Sequence, residues 1–287
     1  LANGQMVSVN VQNDKRDGST AGINRGEKTF VSWSPADSLV PRRWYFVDAL
    51  RILAFLLLVP YHVGMYYVSW GWHVKSPQLV PALEPLMRAS NPWRMSLLFL
   101  LAGTALALML ASPRGGSPWL GARMKRIGLP LLLGMAVVVP PQPYFEVRAH
   151  GFDLDYIDFL KLYFSAYGGF CNERGECLVL PTWNHLWFLA YLIAYTLLLA
   201  PTLRRWPRWP QQLGAKIEPL LLRRAGWLWL PVGWLVLTRL TLRDRFPVTH
   251  ALVDDLYSHS QFLPLFVLGL ALAHARPVWQ HFEARRW

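Results

Sequence analysis

The chain has 287 residues, of which 53% are hydrophobic, with 15 tryptophans and a formal net charge of +12. Several apolar runs approach the roughly 20 residues that cross a bilayer core, which excludes an ordinary soluble domain and favours an integral membrane protein. A positive charge of this size would indicate nucleic-acid binding in a soluble protein, but here no single stretch forms a basic patch. We therefore expect no nucleic-acid partner.

The first 41 residues differ in composition from the rest of the chain. They are rich in Asn, Gly, Ser, Asp and Lys and contain few large apolar side chains. Such a segment cannot bury enough surface to offset the entropy of ordering, so residues 1–41 are predicted to be a disordered polar tail. A membrane domain over 42–275 and a short cytoplasmic tail over 276–287 are expected to follow.

Six apolar segments are predicted to span the membrane, which gives an all-α, polytopic transmembrane helix bundle. They are roughly Trp44–Val68, Trp93–Ala111, Ile127–Pro143, His185–Leu203, Ala225–Leu242 and Ser258–Ala275. A further segment, Tyr156–Phe170, contains Asp158 and Lys161 and is predicted to lie at the membrane interface.

The loops between these segments alternate in charge. The loops after the second and fourth spans carry mainly Lys and Arg, whereas acidic residues outnumber basic ones after the third and fifth. Because cytoplasmic loops are enriched in Lys and Arg, both termini are predicted to be cytoplasmic. Cys171 and Cys177 then fall in an extracytoplasmic loop, where a disulfide is permitted, although their spacing alone leaves two free thiols equally open.

The first span contains three polar side chains, Asp48, Arg51 and His62. Charged groups at membrane depth usually face a bundle interior or a water-filled cavity. Asp48 and Arg51 are three residues apart and can pair on one face. Arg51 and His62 are 11 residues apart, so an ideal helix places them within about 20° of one face and about 16 Å apart along its axis. Pro60 is expected to kink the helix beside the imidazole.

His62 is the candidate general base, because imidazole accepts a proton from a hydroxyl near neutral pH. The alternative is a histidine that is hydrogen-bonded to a neighbouring helix for structural reasons only. The Arg51 on its face and the nearby Pro60 favour the functional interpretation.

Arg123 and Arg126 share a helix face at the cytoplasmic start of the third span. Two guanidinium groups there could bind a phosphate or pyrophosphate. Composition alone favours the alternative, an ordinary basic cluster that contacts lipid headgroups.

Three further polar residues stand near the membrane surfaces. His73, Arg94 and His185 could line an acceptor site, or could be interfacial anchors beside the aromatic belt. No cluster has convincing metal-ligand spacing, so no metal site is predicted.

Several segments resemble the membrane acyltransferase 3 family, in the family's order, from about Arg43 to Ala273. They are YFVDALRILAFLLLVPYH with its arginine and histidine separated by ten residues, WHVKSP, RMSLLFLLAG, RMKRIGLP with its RxxR, HLWFLAYL and FLPLFVLGLAL. One such motif would be weak evidence, but several in order are specific.

The resemblance implies a bacterial inner-membrane enzyme that transfers an acyl group, succinyl or acetyl, to a hydroxyl of an extracytoplasmic carbohydrate such as a periplasmic glucan. It implies no tightly bound cofactor. Acyl-CoA would be the donor, with Arg123 and Arg126 near its phosphates, His62 as base and Arg51 as a second catalytic residue that holds the donor. Asp48, His73, Arg94 and His185 would bind substrate or support the site, and glucan-synthesis machinery would be a partner.

The family usually has about ten spans, whereas six are predicted here, so a partial acyltransferase domain is expected. Two other functions stay open at this point. The intramembrane Arg51 and His62 could line the path of a transporter or flippase, or the chain could be an inactive fragment of the acyltransferase.

Overall fold

A computed structural model describes residues 45–111, 118–171, 175, 177–223 and 229–284. The predicted disordered tail over 1–41 lies outside these residues. Within them all regular secondary structure is helical, apart from an isolated antiparallel bridge between Cys171 and Cys177.

Ten α-helices, numbered in chain order, make up the described part of the chain. They are α1 (Tyr45–Tyr67), α2 (Glu84–Leu110), α3 (Trp119–Leu133), α4 (Pro141–Ala149), α5 (Tyr156–Phe164), α6 (Trp187–Arg205), α7 (Trp209–Arg223), α8 (Trp229–Leu242), α9 (Leu256–Leu272) and α10 (Arg276–Ala284). Short single turns precede α2 and α6, and a π-helical turn at Gly134–Val138 extends α3.

Three helical stretches are long and apolar enough to cross a membrane: α1, Pro81–Leu110 and Asn184–Arg205. The helices α8 and α9 are apolar but shorter. The chain is therefore an all-helical protein of membrane type.

Two predicted spans begin later in the sequence than their helices do. The second was predicted from Trp93, but α2 begins at Glu84, where Glu84 and Arg88 form an ion pair of 3.0 Å one turn apart. The third was predicted from Ile127, but α3 begins at Trp119. In both cases charged residues occupy the first turns, and a hydropathy window excludes them although they suit a helix well.

Helices α7 and α10 were not predicted, because their basic sequences were interpreted as loop and tail. Each has an apolar side that contacts the bundle: α7 packs on α9 and on α10. The Trp279 ring of α10 lies 5.3 Å from that of Phe46 at the start of α1.

The centre of the bundle is the contact between α2 and α9, the most extensive helix pair in the described residues. A Cβ atom on Gly103 would overlap the carbonyl oxygen of Phe266, and one on Gly269 would overlap that of Leu100. Thr104 Oγ1 lies 3.1 Å from the Gly269 carbonyl oxygen and can donate across the interface. Small residues of this kind let two membrane helices approach backbone to backbone.

Aromatic rings from α2, α6 and α9 fill the space beside this contact. Phe99 stacks on Phe262 with centroids 4.6 Å apart and lies 4.7 Å from Phe188. These rings pack α6 against the α2–α9 pair. They lie next to the polar residues of the candidate functional site.

A second, smaller hydrophobic cluster lies within the segment between α3 and α6. Phe159 and Tyr163 of α5 are fully buried there against Val147 and Phe170. Cys171 and Cys177 are joined by a disulfide in the same segment.

The α2–α9 contact predicts a steric effect of single methyl groups. Gly103→Ala and Gly269→Ala each should lower the free energy of unfolding by about 1–3 kcal/mol, because the added Cβ forces two backbones apart. Thermal unfolding of the detergent-purified chain measures this.

Gly121→Ala is the matched control, since a Cβ there meets no atom within 4 Å. It should be neutral or slightly stabilising, as expected for Gly→Ala in an open helix position. Equal losses in all three variants would contradict the close helix contact.

Candidate functional site

One face of α1 is packed against the protein and the other is exposed and apolar. Ile52, Leu56, Val59 and Val63 are each 58–64% exposed, as expected for side chains that contact lipid tails. Arg51 lies on the opposite, half-buried side. The helix therefore presents its polar groups to the bundle.

The imidazole of His62 has a defined tautomer. Its Nδ1 lies 2.7 Å from the carbonyl oxygen of Leu58, one turn earlier. A carbonyl oxygen can only accept, so Nδ1 carries the proton and donates it. In the neutral ring, Nε2 then has a free lone pair and can accept a proton.

A second imidazole, that of His185, faces His62 with ring centroids 6.3 Å apart. The Oε1 atom of Gln142 lies 3.2 Å from His185 Nδ1 and accepts from Asn184 Nδ2 at the same distance. The turn that precedes α6 is thus tied to α4, which fixes the position of His185.

Arg94 lies on α2 beside these rings. It is only 3% exposed. Its guanidinium carbon is 3.7 Å from the centroid of the Tyr61 ring, a cation–π geometry, and Nη1 donates to Ser90 Oγ at 3.3 Å. The Nε atom is buried and has no hydrogen-bond partner among the described residues.

These side chains line one cavity of about 650 Å³. Its described lining residues include His62, His73, Arg94 and His185, which were all candidates from the sequence, and none of these lining residues is acidic. The cavity is of the size that holds a small organic ligand, and its walls are cationic or neutral.

His250 completes the outer wall of this cavity and was missed by sequence reasoning. Its ring stacks on Trp187 with centroids 4.3 Å apart, and its backbone N–H donates to Asp255 Oδ2 at 3.0 Å. Burial lowers the pKa of His250, although the nearby Asp255 acts in the opposite direction. The imidazole is therefore neutral near pH 7.

Asp255 stabilises this wall of the cavity through its hydrogen bonds. It is fully buried, accepts from the Tyr191 hydroxyl at 2.6 Å and caps the start of α9 through the Ser258 N–H. An Asp three residues before a serine at the start of an apolar run is a helix-capping signal that could have identified it. No local pattern identifies His250.

A separate group of side chains lies toward the other end of α1. This group, the arginine cluster, consists of Arg51, Arg123 and Arg126. The charges of Arg51 and Arg126 both act on Arg123, and Arg123 Nε donates to Thr196 Oγ1 of α6 at 3.0 Å. None of the three arginines forms an ion pair with an acid within the described ranges. The structure thus places Arg51 with the RxxR, not in the His62 cavity.

Two other candidate residues have different surroundings. The ion pair between Asp48 and Arg51 does not form in the described part of the chain, because a three-residue spacing brings two Cβ atoms to one face without fixing the rotamers. His73 hydrogen-bonds through Nδ1 to Glu146 Oε2, which joins the loop after α1 to α4.

Comparison with known proteins gives two findings. A sequence profile described as an acyltransferase domain matches residues 44–287. Glucans biosynthesis protein C from Escherichia coli strain SMS-3-5 / SECEC and from strain K12 are each 28% identical to the chain over 162 residues. The matched region is 55% of this chain and 38% of each relative, so the chain matches well under half of the relatives' length. No solved structure matches.

Proposed function

We propose that this chain, which belongs to the acyltransferase 3 family, is a membrane O-acyltransferase that moves an acyl group from acyl-CoA to a carbohydrate hydroxyl. The observation that carries the proposal is the His62 imidazole, whose proton is held on Nδ1 by Leu58 while Nε2 is available in a cavity large enough for both reacting groups.

His62 acts as the general base. Its Nε2 takes the proton of the acceptor hydroxyl as the oxygen attacks the thioester carbonyl carbon, and the resulting imidazolium returns that proton to the departing CoA sulfur. A base positioned in this way contributes about 10²- to 10⁴-fold to the rate. The Leu58 carbonyl stabilises the imidazolium, since it accepts from Nδ1 in both protonation states.

The arginine cluster binds the donor. Three guanidinium groups that have no acidic partner within the described ranges suit the phosphates of CoA, which arginine binds bidentately. Arg51 and His62 are about 16 Å apart along α1, so the pantetheine arm would run beside this helix from the phosphates to the thioester. Arg51 is therefore proposed as a donor-binding residue.

The acceptor enters the cavity from the His185 and His250 side. The relatives are named for glucan biosynthesis, and a glucan hydroxyl is the acceptor that we propose here. Trp72, Trp183 and Asn184 line this part of the cavity; aromatic faces beside amide groups are suited to a sugar. The acyl group is succinyl or acetyl, and glucan-synthesis machinery is a partner.

The charge of the loops supports an orientation in the bacterial inner membrane. If the six spans and cytoplasmic termini predicted from the sequence hold, the arginine cluster lies at the cytoplasmic side, where acyl-CoA is made, and the His62 cavity opens to the other side.

Replacing the base tests the proposal directly. His62→Gln should lower kcat for acyl transfer by about 10²-fold or more, with the KM for acyl-CoA little changed, because the donor is held mainly at the arginine cluster. Transfer is measured as release of the free CoA thiol in the presence of a glucan oligosaccharide.

His150→Gln is the matched control, because His150 is exposed and lies outside the His62 cavity. It should retain full activity. Unchanged transfer by His62→Gln would contradict the proposed role of the imidazole.

The donor site gives a second prediction. Arg126→Gln should raise the KM for acyl-CoA about tenfold, the effect of one lost hydrogen bond to a charged group. It should not change the KM for an acyl-N-acetylcysteamine thioester, which has no phosphates.

The control for this experiment is Lys125→Gln, which removes an adjacent exposed positive charge from the same helix. It should leave both KM values unchanged. If Arg126→Gln raises the KM for the phosphate-free thioester, the role of Arg126 as a phosphate-binding residue is contradicted.

A further inference from the structure

The cation of Arg94 is buried without an acidic partner. The residue is 3% exposed, and within the described ranges it forms no ion pair. Burying an unpaired charge is costly, and arginines at membrane depth mark functional positions more often than structural ones. The position therefore calls for a group that the charge can stabilise.

The guanidinium is held rigidly by two contacts. The Tyr61 ring lies against one face, 3.7 Å from Cζ, and Ser90 Oγ accepts from Nη1 at 3.3 Å. These contacts leave Nε as a buried donor that has no partner in the part of the chain that the structure describes. A donor that is fixed, desolvated and unsatisfied is already organised for an acceptor that arrives later.

Arg94 and His62 share one cavity, and the arginine charge acts on the His62 imidazole. Tyr61, which contacts the guanidinium, directly precedes His62 in α1. His62 and Arg94 thus border the same space. An acceptor held by His62 attacks the carbonyl carbon of an acyl thioester bound in this cavity. The carbonyl oxygen of that thioester then lies near Arg94.

We propose that Arg94 stabilises the oxyanion of the tetrahedral intermediate, an inference that rests on the proposed acyl transfer. The acceptor oxygen forms a bond to the thioester carbon and its proton passes to His62 Nε2. The carbonyl π pair moves to the oxygen, whose negative charge is held by the Arg94 guanidinium. The pair then re-forms the C=O bond, the C–S bond breaks, and the CoA sulfur takes the proton from His62. The products are the ester and CoA.

A different anion, a carboxylate on the acyl chain, would also be attracted to the cavity. Arg239 and Arg243 line its exposed wall and are accessible to such a group. Arg94 is instead buried beside the base, at the reaction centre. A role in the intermediate affects every acyl donor equally, whereas carboxylate recognition affects only a donor that carries one.

The experiment compares acetyl-CoA and succinyl-CoA as donors for Arg94→Gln, with release of the CoA thiol as readout and a glucan oligosaccharide as acceptor. The kcat should fall about 100-fold or more for both donors, as found when an oxyanion donor is removed, while each KM changes less than about twofold. Arg88→Gln is the control, since Arg88 is exposed on the same helix and paired with Glu84; it should retain the kcat of the unchanged chain.

A second measurement separates catalysis from folding. Guanidinium ion, added to Arg94→Ala at concentrations too low to lower the unfolding temperature, should restore a part of kcat. A rise in KM at constant kcat, a loss confined to succinyl-CoA, or a loss without guanidinium rescue overturns the assignment. Absence of transfer by the unchanged chain overturns the proposed function itself and the inference with it.

Discussion

A polar side chain inside a bilayer has to find its partners within the protein, because the surrounding hydrocarbon offers none. This constraint decides where the functional groups of this chain lie. His62 donates to a carbonyl of its own helix, and Arg123 donates to Thr196 on α6. Each of these contacts uses one hydrogen-bonding position and leaves another for a substrate.

The close contact of α2 with α9 fixes the positions of these side chains. Gly103 and Gly269 bring the two backbones together, and the Phe99 and Phe262 rings stack beside them. Arg94 is on α2, two to three turns before Gly103, and Gln261 and Phe262 of α9 line the cavity. A change in the helix spacing would therefore move the cavity walls, although neither Gly103 nor Gly269 is among the described residues that line the cavity.

Helix periodicity predicted a large part of the arrangement. The 11-residue spacing of Arg51 and His62 placed them on one helix face, and the three-residue spacing of Arg123 and Arg126 did the same, because both relations are local. That Arg51 lies near Arg123 could not be derived, since it depends on how α1 and α3 are placed within the bundle. The contacts of Asp255 with Tyr191 and of His250 with Trp187 join residues more than 60 positions apart, and no local pattern encodes them. Helices α7 and α10 were missed because their charged faces dominated their composition.

We propose that α1 joins a donor-binding end on one side of the membrane to a catalytic cavity that opens to the other side. Sealed proteoliposomes test it most directly, with the chain oriented by selective reconstitution, radiolabelled acyl-CoA only on the arginine-cluster side and a glucan oligosaccharide only on the other. The account predicts that the label appears on the enclosed glucan while CoA stays on the donor side. Label on the glucan only when donor and acceptor share one side would contradict it.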